Sequence, residues 1–468
     1  MSRLLVILAT ALGVTLVACS GGGDSTPAVP SETAAPPEGS ATPVATAEPT
    51  AEPISAVLTP KDIFAAVSPS IAFVETPLGT GSGILIGEEW LVSNAHVVWP
   101  YSEVRVVFGD GTEFVDAPVH AWDLMADLAA IRLPPGHGIP PVEFADPTRL
   151  LTGSELFLIG YPAESERFPQ PTISGGVLSR IRDWPLASLT YVQTDAAIAG
   201  GQSGGALVSD TGQVVGLSGF KFADAFGLAL AAPIVEQRTN ALIDGTDLNA
   251  LSDRGLARQT SDRPFSFTLT NFYDTRAFIV REPIGTSVDV GITSPNDAVL
   301  DVFDAYGGFL GTTDETESGR EGVTFEIDID IPFVVIASQL NIGLGDFEIT
   351  ASPGVAVQTD PDDGRLLQRG RTYVGNMDYP ADLDMFEISL GAGETVTIRV
   401  ESLNFDPNLI IDSPDNFEEE LAYDDNSAGG LFGTDAELTF TAPSENRYLV
   451  SVADANLSEV GGYFLVVD

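Results

Sequence analysis

The sequence predicts an all-β protein of several domains, and three observations carry this. The chain has 468 residues, too many for one ordinary core, so roughly two to four domains are expected. Its 47 Gly and 32 Pro divide it into many short Val/Ile/Phe-rich runs, which is the pattern of strands and turns rather than of long helices. Beyond residue 256 one order of strand-like blocks occurs twice, the mark of a duplicated unit.

At the N-terminus, Arg3 supplies a positive charge and Leu4 to Val17 a short apolar stretch. Leu16-Val17-Ala18-Cys19 then resembles a lipobox, the processing site of bacterial lipoproteins. The resemblance implies a signal peptide over 1–18, a diacylglyceryl group on Cys19, and an extracytoplasmic protein held to a bacterial membrane by its lipid. Cys19 is the single cysteine, so no intrachain disulfide forms. Residues 19–58, rich in Gly, Pro, Ala and Thr, have too little apolar surface for a core and read as a disordered tether.

The formal net charge is −46. It argues against nucleic acid or anionic lipid headgroups as direct partners, since both require Lys and Arg against phosphate. From residue 261 onward there are 39 acidic residues against 9 Arg and no Lys. Solubility outside the cell accounts for such acidity; cation binding is the sharper alternative.

Residues 59–250 read as one domain. From about 70 to 240 the blocks Ile71–Val74, Gly83–Ile86, Val104–Phe108, Leu128–Leu133, Glu155–Ile159 and Val214–Gly216 predict short strands. Asp110-Gly111 is a hairpin signal, and Pro233 opens a helix expected over 234–243. The spacing suits a barrel or sandwich.

This region carries the chemistry. His96 follows an apolar strand, Asp127 stands at the mouth of another, and Ser203 lies in Gly200-Gly201-Gln202-Ser203-Gly204-Gly205. A serine hydroxyl becomes a useful nucleophile when an imidazole accepts its proton, and a carboxylate fixes that imidazole's tautomer. The backbone N–H groups of Gly201 and Ser203 are the candidate oxyanion hole. Gly201-x-Ser203-x-Gly205 also fits an α/β-hydrolase elbow, but that fold needs a histidine after the serine. The three histidines are His96, His120 and His137, all earlier. His120 and His137 read as surface or satisfied core residues, and no histidine pair has zinc-ligand spacing.

With Gly81-Ser82-Gly83-Ile84, Thr194-Asp195-Ala196-Ala197 and Gly227-Leu228-Ala229-Leu230-Ala231-Ala232-Pro233 added, this region resembles trypsin-like serine peptidases of the HtrA type. The resemblance implies a chymotrypsin-like double β-barrel with the triad at the junction, and hydrolysis of peptide bonds through an acyl-enzyme. Asp195 reads as structural. Gln202 stands where that family has Asn, and no PDZ-like pattern follows residue 240. The resemblance also places Ala197, six before the nucleophile, at the base of the pocket for the residue preceding the scissile bond, with Leu228, Ala229 and Leu230 as its wall. Such a slot implies a preference for small or medium aliphatic residues on proteins or peptides outside the cytoplasm. The alternative is a membrane-anchored binding protein or adhesin on an inactive peptidase-like scaffold.

The blocks of 256–353 recur in 365–468 and predict two β-sandwiches, the first more degenerate. The second resembles the bacterial pre-peptidase C-terminal domain in Asp382-x-Asp384-x-Phe386, Asp424-Asp425 and Gly461-Gly462-Tyr463. Asp382, Asp384, Asp424 and Asp425 offer carboxylate oxygens suited to calcium; solvated turns are the plainer reading. No other cofactor is implied, and the sequence sets no oligomeric state. Every candidate catalytic residue precedes 240, so both sandwiches are expected to be dispensable for the chemistry.

Overall fold

The computed structural model describes residues 57–468 apart from 164–168, 224–225, 247–259, 262–264, 270–274, 314–318, 340–344, 353–354, 359–362, 414–415 and 431–432. Cys19, the expected signal peptide and nearly all of the expected tether lie outside the described residues. The first element among the described residues is helix α1 (Pro60–Val67), where the Thr59 side chain accepts from the Asp62 N–H and Pro60 stands in the first turn.

Twelve strands follow as two closed six-stranded barrels. The first contains β1 (Ile71–Thr76), β2 (Gly79–Leu85), β3 (Trp90–Ser93), β4 (Glu103–Phe108), β5 (Glu113–Asp123) and β6 (Leu128–Arg132). They close in the order β1-β2-β3-β6-β5-β4. A one-turn helix, α2 (Ala95–Val98), follows β3. Asp110-Gly111 turns β4 into β5, with Gly111 at φ +90° and Asp110 Oδ1 accepting from the Thr112 N–H. The second barrel contains β7 (Glu155–Gly160), β8 (Thr172–Trp184), β9 (Leu189–Thr194), β10 (Ala206–Ser209), β11 (Val214–Ala223) and β12 (Phe226–Ala231). Its order is β10-β11-β12-β9-β8-β7. Closure leaves neither barrel an open edge. The predicted closing helix is present as α3 (Ala232–Asp244), two residues earlier at its start, with Pro233 in its first turn.

The C-terminal half forms two pairs of packed sheets. In the first pair, strands Arg276–Val280, Phe333–Gln339, Ala298–Asp304 and Phe309–Thr313 are consecutive neighbours. They face a sheet ordered Phe265–Leu269, Gly345–Ser352, Ser287–Ser294, Gly319–Glu326. The second pair repeats both orders. Its sheets run Leu383–Leu390, Asn446–Asp454, Pro407–Ser413, Asn416–Asp424, and Arg371–Met377, Gly461–Val467, Thr395–Ser402, Ala436–Thr441. The duplicated blocks are thus duplicated topology, and the all-β class holds throughout.

Both sandwiches pack on the barrels. Along Arg276–Val280 the side chains alternate: Phe278 and Val280 enter the sandwich's own core, while Ala277 and Ile279 join the first barrel's Leu85, Val104 and Trp99. Strand Phe333–Gln339 does the same, with Val335 inward and Val334 and Ile336 toward the barrel. A sheet covered on both faces loses its polar alternation, which is why these runs are continuously apolar. The second sandwich contributes Leu403 and Phe464 to the cluster that holds Phe157, Tyr191 and Trp184 of the second barrel.

Candidate active site

The short helix α2 turns the chain so that His96 faces the turn between β5 and β6. The His96 backbone N–H donates to Asp127 Oδ1 at 3.0 Å, and its ring Nδ1 is 2.7 Å from Oδ2. One carboxylate therefore grips both backbone and ring. With Nδ1–H donating to Asp127, Nε2 is left as an acceptor. Asp127 is buried, whereas the His96 side chain is 40% exposed. Burial lowers the imidazole's proton affinity, but the Asp127 charge and hydrogen bond, joined by the charge of Glu459, raise its pKa above 6.5 overall.

Asp127 has φ +51°, a left-handed conformation that Asp tolerates better than most residues. The turn that imposes it is clamped from both sides. On the inside, buried Arg238 of α3 reaches Asp123 Oδ2 at 2.5 Å and the Ala187 carbonyl at 2.9 Å, while Asp123 Oδ1 accepts from the Ala126 N–H. Asn94 Nδ2 donates to the Asp127 carbonyl at 2.9 Å. On the outside, Asn404 Nδ2 of the second sandwich donates to the Leu124 carbonyl at 2.7 Å, and the Gly462 N–H reaches the same oxygen at 3.2 Å. Arg238, on the buried face of α3 three residues after Val235, escaped the sequence reading; an Arg at that spacing was the signal.

Ser203 lies on the loop before β10. Gly201 and Gly204 have φ +85° and +81°, and a Cβ on Gly204 would lie 2.0 Å from the Ser82 carbonyl oxygen, so only glycine fits there. Ser82 of β2 ties the barrels together at this point. Its Oγ donates to the Gly201 carbonyl at 2.9 Å, and its N–H to the Ser203 carbonyl at 2.7 Å. The Gly200 carbonyl is held by the Ala163 N–H at 2.7 Å and the Gln202 carbonyl by the Gly205 N–H at 3.0 Å. Carbonyl and N–H point opposite ways across a trans peptide, so the Gly201 and Ser203 N–H groups are turned away from those two contacts. Gln202, the departure from the family pattern, braces the loop: its Oε1 accepts from the Ala199 N–H at 2.7 Å and its Nε2 donates to Thr172 Oγ1 at 3.1 Å. The Ser203 hydroxyl donates to the Gly219 carbonyl at 3.4 Å rather than to His96.

A cavity of about 360 Å³ opens beside these groups. His96, Asp127, Gly219 and Phe220 form one side of it, and Leu403, Asn404, Phe405, Asp406, Thr434, Glu459 and Val460 of the second sandwich the other. The second sandwich, expected to be dispensable for the chemistry, thus lines the cavity that holds His96. Residues some 280 positions from Leu124 complete the cleft; these loop side chains carry no pattern that a single sequence reveals.

The residues expected to form the substrate pocket are placed differently. Ala197 is exposed, with its carbonyl accepting from Ser174 Oγ at 2.8 Å. Leu228, Ala229 and Leu230 are each at most 3% exposed. Because side chains alternate along β12, Leu228 and Leu230 enter one core cluster and Ala229 another, and none of the three lines the cavity at His96. The side chains of all three are thus buried among core residues.

The calcium candidates also separate. Asp384 pairs with Val452, Val452 with Leu409, and Leu409 with Asp424, so three strand spacings, about 14 Å, part the two aspartates. Asp382 accepts from the Asp378 and Leu383 N–H groups, Asp384 from the Tyr463 hydroxyl, and Asp424 from the N–H groups of Ser427 and Glu437. Among the described residues no group of three or more His, Cys, Asp or Glu is arranged for a metal ion. Asp195 accepts from the Val177 N–H, a structural bond. His137 donates to the Glu88 carbonyl and accepts from the Ile139 N–H, and His120 packs edge-on against Trp90.

A family model for the trypsin-like peptidase domain matches residues 81–217. This domain is trypsin-like. Its relatives are HtrA-type serine peptidases at modest identity. The serine protease Do-like HtrA of Bacillus subtilis is 29% identical over 211 residues, 42% of this chain and 44% of that protein. The mitochondrial serine protease HTRA2 of Bos taurus is 30% identical over 246 residues, 48% and 50% of the two chains. The chloroplastic protease Do-like 1 of Arabidopsis thaliana is 33% identical over 153 residues, 31% and 34%. The chain thus spans half or less of each of these relatives, and residues 81–217, which the family model matches, lie in the barrels.

Proposed function

We propose that the trypsin-like domain is a serine endopeptidase that acts on extracytoplasmic proteins, with Ser203 as nucleophile, His96 as general base and Asp127 as its orienting carboxylate. The observation that carries this reading is the two-point grip of Asp127 on His96, with Ser203 hydrogen-bonded to Gly219 in the wall of the same cavity. In the reaction, rotation about the Cα–Cβ bond of Ser203 takes Oγ from the Gly219 carbonyl to His96 Nε2. The proton passes to Nε2 as Oγ bonds to the scissile carbonyl carbon. The oxyanion accepts from the Gly201 and Ser203 N–H groups. His96 then gives its proton to the leaving amine as the C–N bond breaks, and water repeats the sequence on the acyl-enzyme.

Ala197 offers no counter-charge, and Asp195 is occupied at the Val177 N–H; both support a preference for small or medium aliphatic residues before the scissile bond. The lipobox supports attachment of the enzyme to a membrane through Cys19.

A fluorophosphonate probe tests the assignment. The expected result is an adduct on Ser203 in the folded chain, with peptide hydrolysis about 10⁴-fold slower in Asp127→Asn. Absence of the adduct from folded protein would leave the barrels as a scaffold for binding.

A further inference from the structure

The sandwich side of the cleft has a composition of its own. Leu403, Phe405 and Val460 give it apolar surface, and Asp406 and Glu459 give it two carboxylates; among the described residues no Lys or Arg lines the cavity. Asp406 Oδ1 is buried with no hydrogen-bond partner. Burial, with the charges of Asp454 and Asp425, pushes the Asp406 carboxyl up to about 6, and burial with the charge of Asp454 also pushes Glu459 up. Besides His96, whose charge bears on Glu459, no described residue lining the cavity gives either carboxylate a counter-charge. An apolar wall ending in acceptors fits a side chain with a long aliphatic stem and a cationic head.

The wall belongs to the cleft. Leu403 and Phe464 share the second barrel's core, the Trp184 indole N–H donates to Glu401 at 3.1 Å, and the Trp184 and Phe464 rings meet edge to face at 5.5 Å. An extended peptide advances about 3.3 Å per residue, so with its scissile carbonyl at Ser203 a side chain within a few residues of that bond enters the cavity.

We infer that the second sandwich is a specificity element of this site, and that Asp406 and Glu459 select a Lys or Arg side chain close to the scissile bond. This rests on the peptidase reading and adds the substrate class: proteins with a basic residue flanking an aliphatic cleavage position.

The test uses the full chain and peptides that differ only in Arg against Gln at one position, moved through the positions on either side of the cut. At one position Arg is expected to be cleaved about 10-fold or more better than Gln. That ratio, internal to each variant, should fall to about twofold or less in Asp406→Asn and reverse toward Glu peptides in Glu459→Lys. Binding of the same fluorescent peptides to Ser203→Ala separates the two claims. Arg-selective binding without cleavage by the wild type would refute the peptidase reading and keep the cavity assignment. Cleavage with no preference for a basic residue at any position, or a preference that survives in both variants, would overturn the inference alone.

Discussion

The two sandwiches share one strand order and do different work. The first lays Ala277, Ile279, Val334 and Ile336 flat against the first barrel, and Arg281 donates to the Pro100 carbonyl at 2.6 Å. None of its described residues lines the cavity at His96. The second packs Phe464 of a strand on Trp184 and adds connecting segments and strand ends, placing Asn404 and Gly462 on the Asp127 turn and Asp406 and Glu459 in the cleft. A sheet face gives area, and therefore stability; loops give polar groups at chosen points, and therefore chemistry. Duplication supplied the same fold twice, and the docking surface decided which copy joined the site.

The comparison can be broken at three places. The largest effect is expected from the inner clamp shared by the whole site. Arg238→Met leaves Asp123 buried without its partner, so urea unfolding should show a loss of roughly 3–5 kcal/mol. A loss below about 1 kcal/mol would mean that the turn does not depend on that pair.

The second test sets the sandwiches against each other. A Cβ at Gly462 would lie 2.7 Å from the Met125 Cα, so Gly462→Ala should push the second sandwich off the turn and lower kcat/KM for peptides by about 10-fold or more. Arg281→Ala, in the first sandwich, should change it by less than about twofold. Equal effects would erase the distinction.

Much of this was legible in the sequence, for physical reasons that stop at definite points. Strands β1, β2, β4, β6, β7 and β11 were marked by apolar runs and turn residues, and the duplicated blocks foretold the repeated sheet orders. His96, Asp127 and Ser203 stood out because few residue types do this chemistry and their chain order excluded a competing fold. For Leu228, Ala229 and Leu230 the sequence does not separate a slot wall from a core filling, because an apolar strand reads the same in both. For the four aspartates the sequence left calcium open beside the plainer reading of solvated turns, because nearness within each pair says nothing about the three strand spacings between the pairs. Glu459 and Asp406 were invisible because their meaning comes from a contact between distant parts of the chain.

The smallest effect tests the central claim, that His96 is the base of a cleft which the second sandwich completes. A base works only when neutral, so kcat/KM rises as pH passes upward through the His96 pKa. Asp127 and Glu459 hold that pKa above its ordinary 6.5, so the acid limb of the wild-type profile should lie above pH 6.5. Glu459→Gln removes one of the charges that favour the imidazolium, so the limb of the full chain should move to lower pH. A limb that stays where it was in Glu459→Gln would contradict the account.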